Sequence, residues 1–168
     1  MLHRSIVKKS VPGKGEGLFA TKRIKAGEVV WELDDSCKIF PLKKEIKQKY
    51  PRAYQFGNKY IVCNDDSDYM NHSCDPNTWW ASDRQLSTHR DIRAGEEITY
   101  DYSTTDISPD WVADWECKCG AKDCRKRISN RDCLRKDFQQ KYGEHLPSWT
   151  KEFIRKNKAK IIIVNKKD

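Results

Sequence analysis

A chain of 168 residues is long enough for one domain with its own core and a short extension. Its longest apolar run, residues 161–164, is far too short to span a bilayer, and no apolar stretch follows Met1, so neither a membrane span nor a secretory signal is read and the protein is expected to stay inside a cell. The formal net charge of +8 is concentrated at the end: residues 151–168 hold seven Lys/Arg against two acidic residues, either a solvated tail or a weak attraction for an acidic partner such as nucleic acid, without the aromatic-interleaved groove of a dedicated nucleic-acid binder.

In chain order, residues 5–33 read as short strands with turns between them. Ile6-Val7 opens the first strand, Pro12-Gly13-Lys14-Gly15-Glu16-Gly17 is a turn cluster, Leu18-Phe19-Ala20 is a brief apolar strand, and residues 29–33 form another after the Lys25-Ala26-Gly27-Glu28 turn. Leu42, Ile46 and Tyr50 recur at helical spacing, which predicts a helix over 42–50 ended by Pro51. Residues 60–63 read as a strand, 64–68 as a polar loop, 75–77 as an Asp-Pro-Asn turn, and 85–92 and 97–102 as strands. Residues 103–116 are loop-like and carry Trp111 and Trp115; 133–142 and 149–158 predict two helices separated by Gly143 and Pro147. Many short strands with few helices predict a mainly β domain, not a βαβ sheet.

Four stretches carry polar chemistry. Gly13-Lys14-Gly15-Glu16-Gly17 permits unusual backbone angles and close approach of a ligand, but it lacks the helix-opening glycine of a dinucleotide fold and the Gly-Lys-Ser/Thr of a phosphate loop, and by itself it is equally a strand-to-strand turn. Asn71-His72-Ser73-Cys74-Asp75-Pro76-Asn77 is either an Asx/Pro turn or a site; a Cys74–His72 nucleophile is a poor reading, since nothing nearby in sequence orients the imidazole. Cys117-Lys118-Cys119-Gly120-Ala121-Lys122-Asp123-Cys124 offers three thiolates at C-x-C-x4-C spacing, suited to Zn²⁺, which wants a fourth ligand from Cys37, Cys63, Cys74, Cys133 or a histidine. Seven cysteines, an odd number in such a chain, argue against a disulfide framework. Glu96-Glu97-Ile98-Thr99-Tyr100-Asp101-Tyr102 puts two tyrosines on one side of a strand, which is also ordinary aromatic packing.

Taken in this order, Lys14-Gly15-Glu16-Gly17, residues 71–77, residues 95–102 and the three-cysteine run resemble the SET-domain lysine methyltransferases over roughly residues 6–128. The resemblance implies SET-type β-sheets with a C-terminal pseudoknot, a SET domain over 5–103 with an insert at 40–58, a zinc-bound post-SET segment over 113–129, and a helical, basic C-terminal extension over 130–168. It implies S-adenosyl-L-methionine (SAM) as cofactor, held around Lys14, Gly15, Glu16, Gly17, Tyr69, Asn71, His72 and Tyr102, with Ile128 covering the adenine where the family often has Gly and an aromatic. It implies Tyr102 as the active-site tyrosine, Tyr100 as the position that tunes how many methyls are added, Tyr54 as a second channel tyrosine, and Cys74 as the fourth zinc ligand beside Cys117, Cys119 and Cys124. The expected partner is a protein with an exposed lysine, such as a histone tail, and the expected products are mono- and dimethyl-lysine. Asp65-Asp66-Ser67-Asp68 departs from the family, which often has a basic residue near there. The competing readings are an inactive, zinc-stabilised SET-like binding module and a basic nucleic-acid or chromatin adaptor working through the tail.

Overall fold

The computed structural model describes residues 1–11 and 15–164. Among the described residues ten short strands form three small sheets, with three α-helices, as a mainly β reading requires. The first sheet has the order β1-β2-β10-β7. Strands β1 (Ile6–Val11) and β2 (Gly15–Ala20) are antiparallel from Ile6↔Ala20 to Val11↔Gly15. Strand β10 (Glu97–Tyr100) runs antiparallel to β2 and parallel to β7 (Asn71–His72), so three of the polar motifs become neighbours. The second sheet is β3-β9-β8, from β3 (Val29–Glu32), β9 (Gln85–Thr88) and β8 (Thr78–Ser82); the third is β4-β6-β5, from β4 (Lys38–Pro41), β6 (Lys59–Val62) and β5 (Tyr54–Phe56). Leu18, Ile24, Val30, Ile61, Ile92 and Ile98 are wholly buried at the centre of the main core, which draws on all three sheets. Burial of such a branched side chain stabilises by about 1.5–3 kcal/mol.

The predicted helix after residue 42 is α1 (Lys44–Lys49); none of its residues is buried, so local spacing and Pro51 rather than packing define it. The two C-terminal helices are α2 (Lys136–Tyr142) and α3 (Ser148–Val164). Phe138, Tyr142, Leu146, Ile154 and Cys133 make a second core, and Thr150 donates to Thr104 O at 2.7 Å, which fastens α3 to the segment after Tyr102. In α3, Glu152 pairs with Arg155 and Lys156, so part of the basic tail is internally compensated; Lys166 and Lys167 lie outside the described residues. Among the described residues no helix is long and apolar enough to cross a membrane.

Four sequence expectations are corrected. The strand expected over 97–102 stops at Tyr100, because Asp101 accepts a hydrogen bond from Ser103 N and starts a 3₁₀ turn over Tyr102–Thr104. The strand expected over 85–92 ends at Thr88, and the polar loop tightens into a 3₁₀ turn over Asp66–Tyr69 capped by Asp65. The cysteine count argued against disulfides, yet Cys37 and Cys63 are joined. They immediately flank β4 and β6, whose register pairs Lys38 with Val62, so the next residue on each strand is carried opposite the other.

Candidate active site and cysteine cluster

Strand β10 organises the site. Asn71 Nδ2 donates to Glu16 O at 3.0 Å and to Glu97 Oε1 at 2.7 Å, tying β7 to β2 and β10. Asn77 Nδ2 donates to Glu97 O at 2.7 Å and its Oδ1 accepts from Thr99 N at 3.0 Å. The two asparagines of the motif thus supply partners along an edge that lacks a long neighbouring strand. Gly15 opens β2 at φ +86°, in the left-handed region that a side chain rarely adopts. Lys14 lies outside the described residues.

Tyr100 leaves the end of β10 and Tyr102 starts the 3₁₀ turn, and their ring centroids are 4.9 Å apart. Tyr102 Oη donates to Met70 O at 3.0 Å. Tyr54, on β5, donates to the Cys63 sulfur at 3.1 Å, the disulfide sulfur having no proton of its own. Burial pushes the ionisation of Tyr54, Tyr100 and Tyr102 well above the ordinary phenol range, so all three remain neutral hydroxyls. They line a cleft of about 460 Å³, with Lys47, Arg52, Asp68, Asp106, Trp111 and Trp115 also on its walls. Beneath them an inner cavity of about 30 Å³ is bounded by Trp31, Tyr54, Ser67, Tyr100 and Thr105 among others.

A second cleft, of about 360 Å³, is lined by Asn71, His72, Tyr102, Trp115, Glu116, Cys117, Lys118 and Cys119. Its volume is within the range of small-molecule sites. The two clefts share Tyr102 and Trp115, whose rings meet edge to face at 6.3 Å between centroids. His72 is buried between them, 5.3 Å from the Tyr102 ring and 5.9 Å from the Trp115 ring. Burial lowers the His72 pKa to about 4, against the pull of Asp101, so the ring is neutral near pH 7. Its Nδ1 accepts from Tyr102 N at 3.2 Å, which leaves Nε2 as the protonated nitrogen facing Cys74 Sγ at 3.4 Å.

Asp101, between the two tyrosines, is fully buried and forms a hub. Arg125 grips it with two nitrogens at 2.8 and 2.6 Å, and Tyr142 Oη donates to it at 2.8 Å. Arg125 Nε also lies 3.0 Å from Asp132 Oδ2, and its backbone N donates to Cys74 Sγ at 3.4 Å. Here the basic residue that follows the last cysteine is a structural pin between three segments.

The sulfurs of Cys74, Cys117, Cys119 and Cys124 all lie within 4.8 Å of one another, with Cys74 and Cys117 at 3.9 Å. A tetrahedral zinc with Zn–S bonds of ~2.3 Å sets its sulfurs about 3.8 Å apart, so this donor set suits that ion. Cys37 and Cys63 are committed to each other, and Cys133 is buried in the helical core, where its thiol donates to Asn130 O at 3.1 Å. The proximity of Cys74 to His72 arises with Cys74 inside the four-sulfur group.

Among the residues expected at the cofactor, Asn71, His72 and Tyr102 meet in one cleft, and Glu16 and Gly17 adjoin them through β2. Tyr69 is flanked by Lys8 and Arg52, 4.1 and 3.9 Å from its ring centroid. The basic side chains missing from its local sequence therefore arrive from distant segments, while Asp66 pairs with Lys8 at 3.0 Å and Asp65 caps the turn. Ile128 is wholly buried against Cys74 and Cys117 and does not line the cleft. Trp115, which sequence reasoning left in a loop, occupies the cleft wall; the sequence marked it only by its place just before the cysteines.

A family model described as SET domain matches residues 15–103. The chain is 31% identical over 139 residues to the histone-lysine N-methyltransferase ASHH3 of Arabidopsis thaliana, covering 68% of this chain and 35% of that protein. It is 28% identical over 150 residues to the histone-lysine N-methyltransferase Su(var)3-9 of Drosophila melanogaster, covering 70% of this chain and 24% of that protein. The chain thus spans about a third or less of the length of these curated relatives. Among solved structures, KRYPTONITE in complex with mCHG DNA and SAH superposes with a TM-score of 0.52 at 24% identity, over 75% of this chain and 29% of that one, which is a likeness of fold. With the motif residues gathered around β10 and the family model matching most of the β domain, the chain belongs to the SET-domain family.

Proposed function

We propose that this protein transfers methyl groups from SAM to the side-chain amine of a lysine in a protein substrate. The observation that carries the reading is the meeting of two clefts at Tyr102 and Trp115: one holds the motif residues Asn71 and His72, the other the neutral tyrosines Tyr54, Tyr60, Tyr100 and Tyr102. Asn71, His72, Tyr102 and Trp115 would hold SAM, which supplies when bound a methyl already activated by its sulfonium. The chain's own residues then need to orient two reactants, an arrangement that in general can remove several kcal/mol from a barrier. A free lysine has a pKa near ~10.4 and reacts only as the neutral amine; an aromatic, desolvated channel disfavours its charged form. As a neutral phenol fixed on Met70 O, Tyr102 is an orienting group and not a base. The test is transfer of labelled methyl from SAM to a panel of histones, cell extract and lysine peptides; label on lysine supports the reading, and its absence together with absent SAM binding by calorimetry sinks it.

The reading extends to the product. Tyr100 borders the inner cavity of about 30 Å³, room for one water. Trp31 Nε1, on a further lining residue, has no hydrogen-bond partner among the described residues. A hydroxyl and a water there restrict the space for added methyls, so mono- and dimethyl-lysine are the expected products. Mass spectra of the product from Tyr100→Phe are expected to show more trimethyl-lysine; an unchanged distribution removes the idea.

The four-cysteine cluster is proposed to bind zinc. Elemental analysis is expected to find about one Zn per chain, and Cys74→Ser to lose it. Because Cys117 and Cys119 also line the smaller cleft, chelation will loosen that wall and weaken SAM binding. Metal-free protein with unchanged SAM affinity and activity would contradict this.

A further inference from the structure

Asp106 is a half-buried carboxylate facing the tyrosine-lined cleft. Its backbone N donates to Tyr102 O at 2.9 Å, so it is held one turn beyond the tyrosine at the junction of the two clefts. Among the described residues its side chain accepts no hydrogen bond and makes no ion pair. Buried acids ordinarily do one or the other.

The cations on the same cleft make their hydrogen bonds and closest ion pairs with other groups, although Lys47 is near enough for Asp106 to act on it electrostatically. Lys47, on α1, donates to Ala53 O at 2.5 Å, and burial lowers its pKa. Arg52 stacks over Tyr69 and lies 4.0 Å from Asp68. The other titratable groups on the cleft are Tyr54 and Tyr60 from the insert sheet, Tyr100 and Tyr102 from the β10 end, and the acids Asp68 and Asp114. Asp106 is felt electrostatically by Lys47, Tyr60, Tyr100 and Tyr102, which places it between the insert and the active-site tyrosines.

We infer that Asp106 is the anionic docking point that receives the target lysine's ammonium group at the entrance to the tyrosine channel. The inference rests on lysine being the substrate, as proposed above. A cation of that kind is what an unpaired carboxylate in this cleft lacks, and the neutral tyrosines beyond it offer no charge to compete. The role is in capture and not in the transfer step, so it bears on KM more than on kcat. Burial pushes the Asp106 carboxyl up to about 7, with Lys47 pulling the other way. The docking charge is therefore lost as pH falls below about 7 and is complete about a unit above it, while the lysine remains cationic throughout.

The test uses the peptide that takes label in the transfer experiment, its binding measured by calorimetry without SAM between pH 6 and 8.5, and KM and kcat measured alongside. Wild-type protein is expected to bind about tenfold tighter at pH 8 than at pH 6. Asp106→Asn is expected to bind about tenfold more weakly at pH 8, with no such pH dependence and with kcat changed less than about threefold. Asp106→Glu, which keeps the charge, is expected to restore the pH dependence. A peptide with norleucine at the target position is expected to bind wild type and Asp106→Asn equally. If Asp106→Asn keeps wild-type affinity and pH dependence, or if it loses the same factor for the norleucine peptide, the inference is overturned. A wild-type protein that labels no lysine defeats the functional reading instead, which separates the two failures.

Discussion

Replacing Tyr102 by Phe is expected to lower methyl transfer by about 100-fold or more while the protein stays folded. The substitution removes one oxygen at the point where the two clefts join, and that oxygen is held in place by its hydrogen bond to Met70 O. Loss of a single neutral hydrogen bond costs about 1 kcal/mol of stability. Loss of a fixed polar group at a reacting centre costs about 10²–10³ in rate, because its position is prepaid by the fold. Since the Tyr102 hydroxyl stays protonated, the defect should persist across pH 6–9 and not be rescued by raising pH. Labelled-methyl transfer, SAM affinity by calorimetry and a thermal melt together check this. A variant that retains more than about a third of wild-type activity removes Tyr102 from the chemistry, and one with a collapsed melt assigns it a structural role.

The largest stability effect is expected at Arg125. Its side chain is 10% exposed and holds Asp101, whose side chain is fully buried, by two short hydrogen bonds. Arg125→Ala leaves Asp101 with Tyr142 Oη, Ser103 N and the neutral His72 as neighbours, none of them a cation. Breaking such a pair by removing one partner costs about 3–5 kcal/mol, mostly from the stranded charge. In a chain of this size that lowers Tm by about 10 °C or more. The damage should also reach the site, because Asp101 separates Tyr100 from Tyr102 and Arg125 N contacts Cys74 Sγ. Arg125→Lys, which keeps charge but not the two-pronged geometry, should recover only part of the loss. A melt within about 2 °C of wild type for Arg125→Ala contradicts the assignment.

Two of these groups illustrate how unevenly the site is written in the sequence. Tyr102 lies in a contiguous stretch that the family resemblance singles out, whereas Arg125 reads only as one of three consecutive basic positions after the cysteines. Its partner Asp101 is a reach of 24 residues away, and nothing local announces the pairing. Trp115 and Asp106 behave like Arg125: both lie in the segment over 103–116, which carries no periodicity, so their place on the cleft walls emerges only when β5, β7 and the cysteine loop converge on it.

What the sequence by itself determined are the features with short-range causes. Alternating short apolar runs and glycine turns specify a mainly β chain, helical spacing and Pro51 specify α1, and the C-x-C-x4-C run specifies three co-located thiols. The tertiary structure decided everything that depends on residues far apart in the chain. It selected Cys74 over the other candidates as the fourth sulfur, paired Cys37 with Cys63 through the register of β4 and β6, and stopped β10 at Tyr100 so that Tyr102 turns into the junction of the clefts. It also buried Ile128 and set Trp115 on the cleft wall. The physical reason is one of range: backbone propensity and ligand spacing act within about ten residues, whereas burial, charge pairing and strand register are set by contacts across the whole fold.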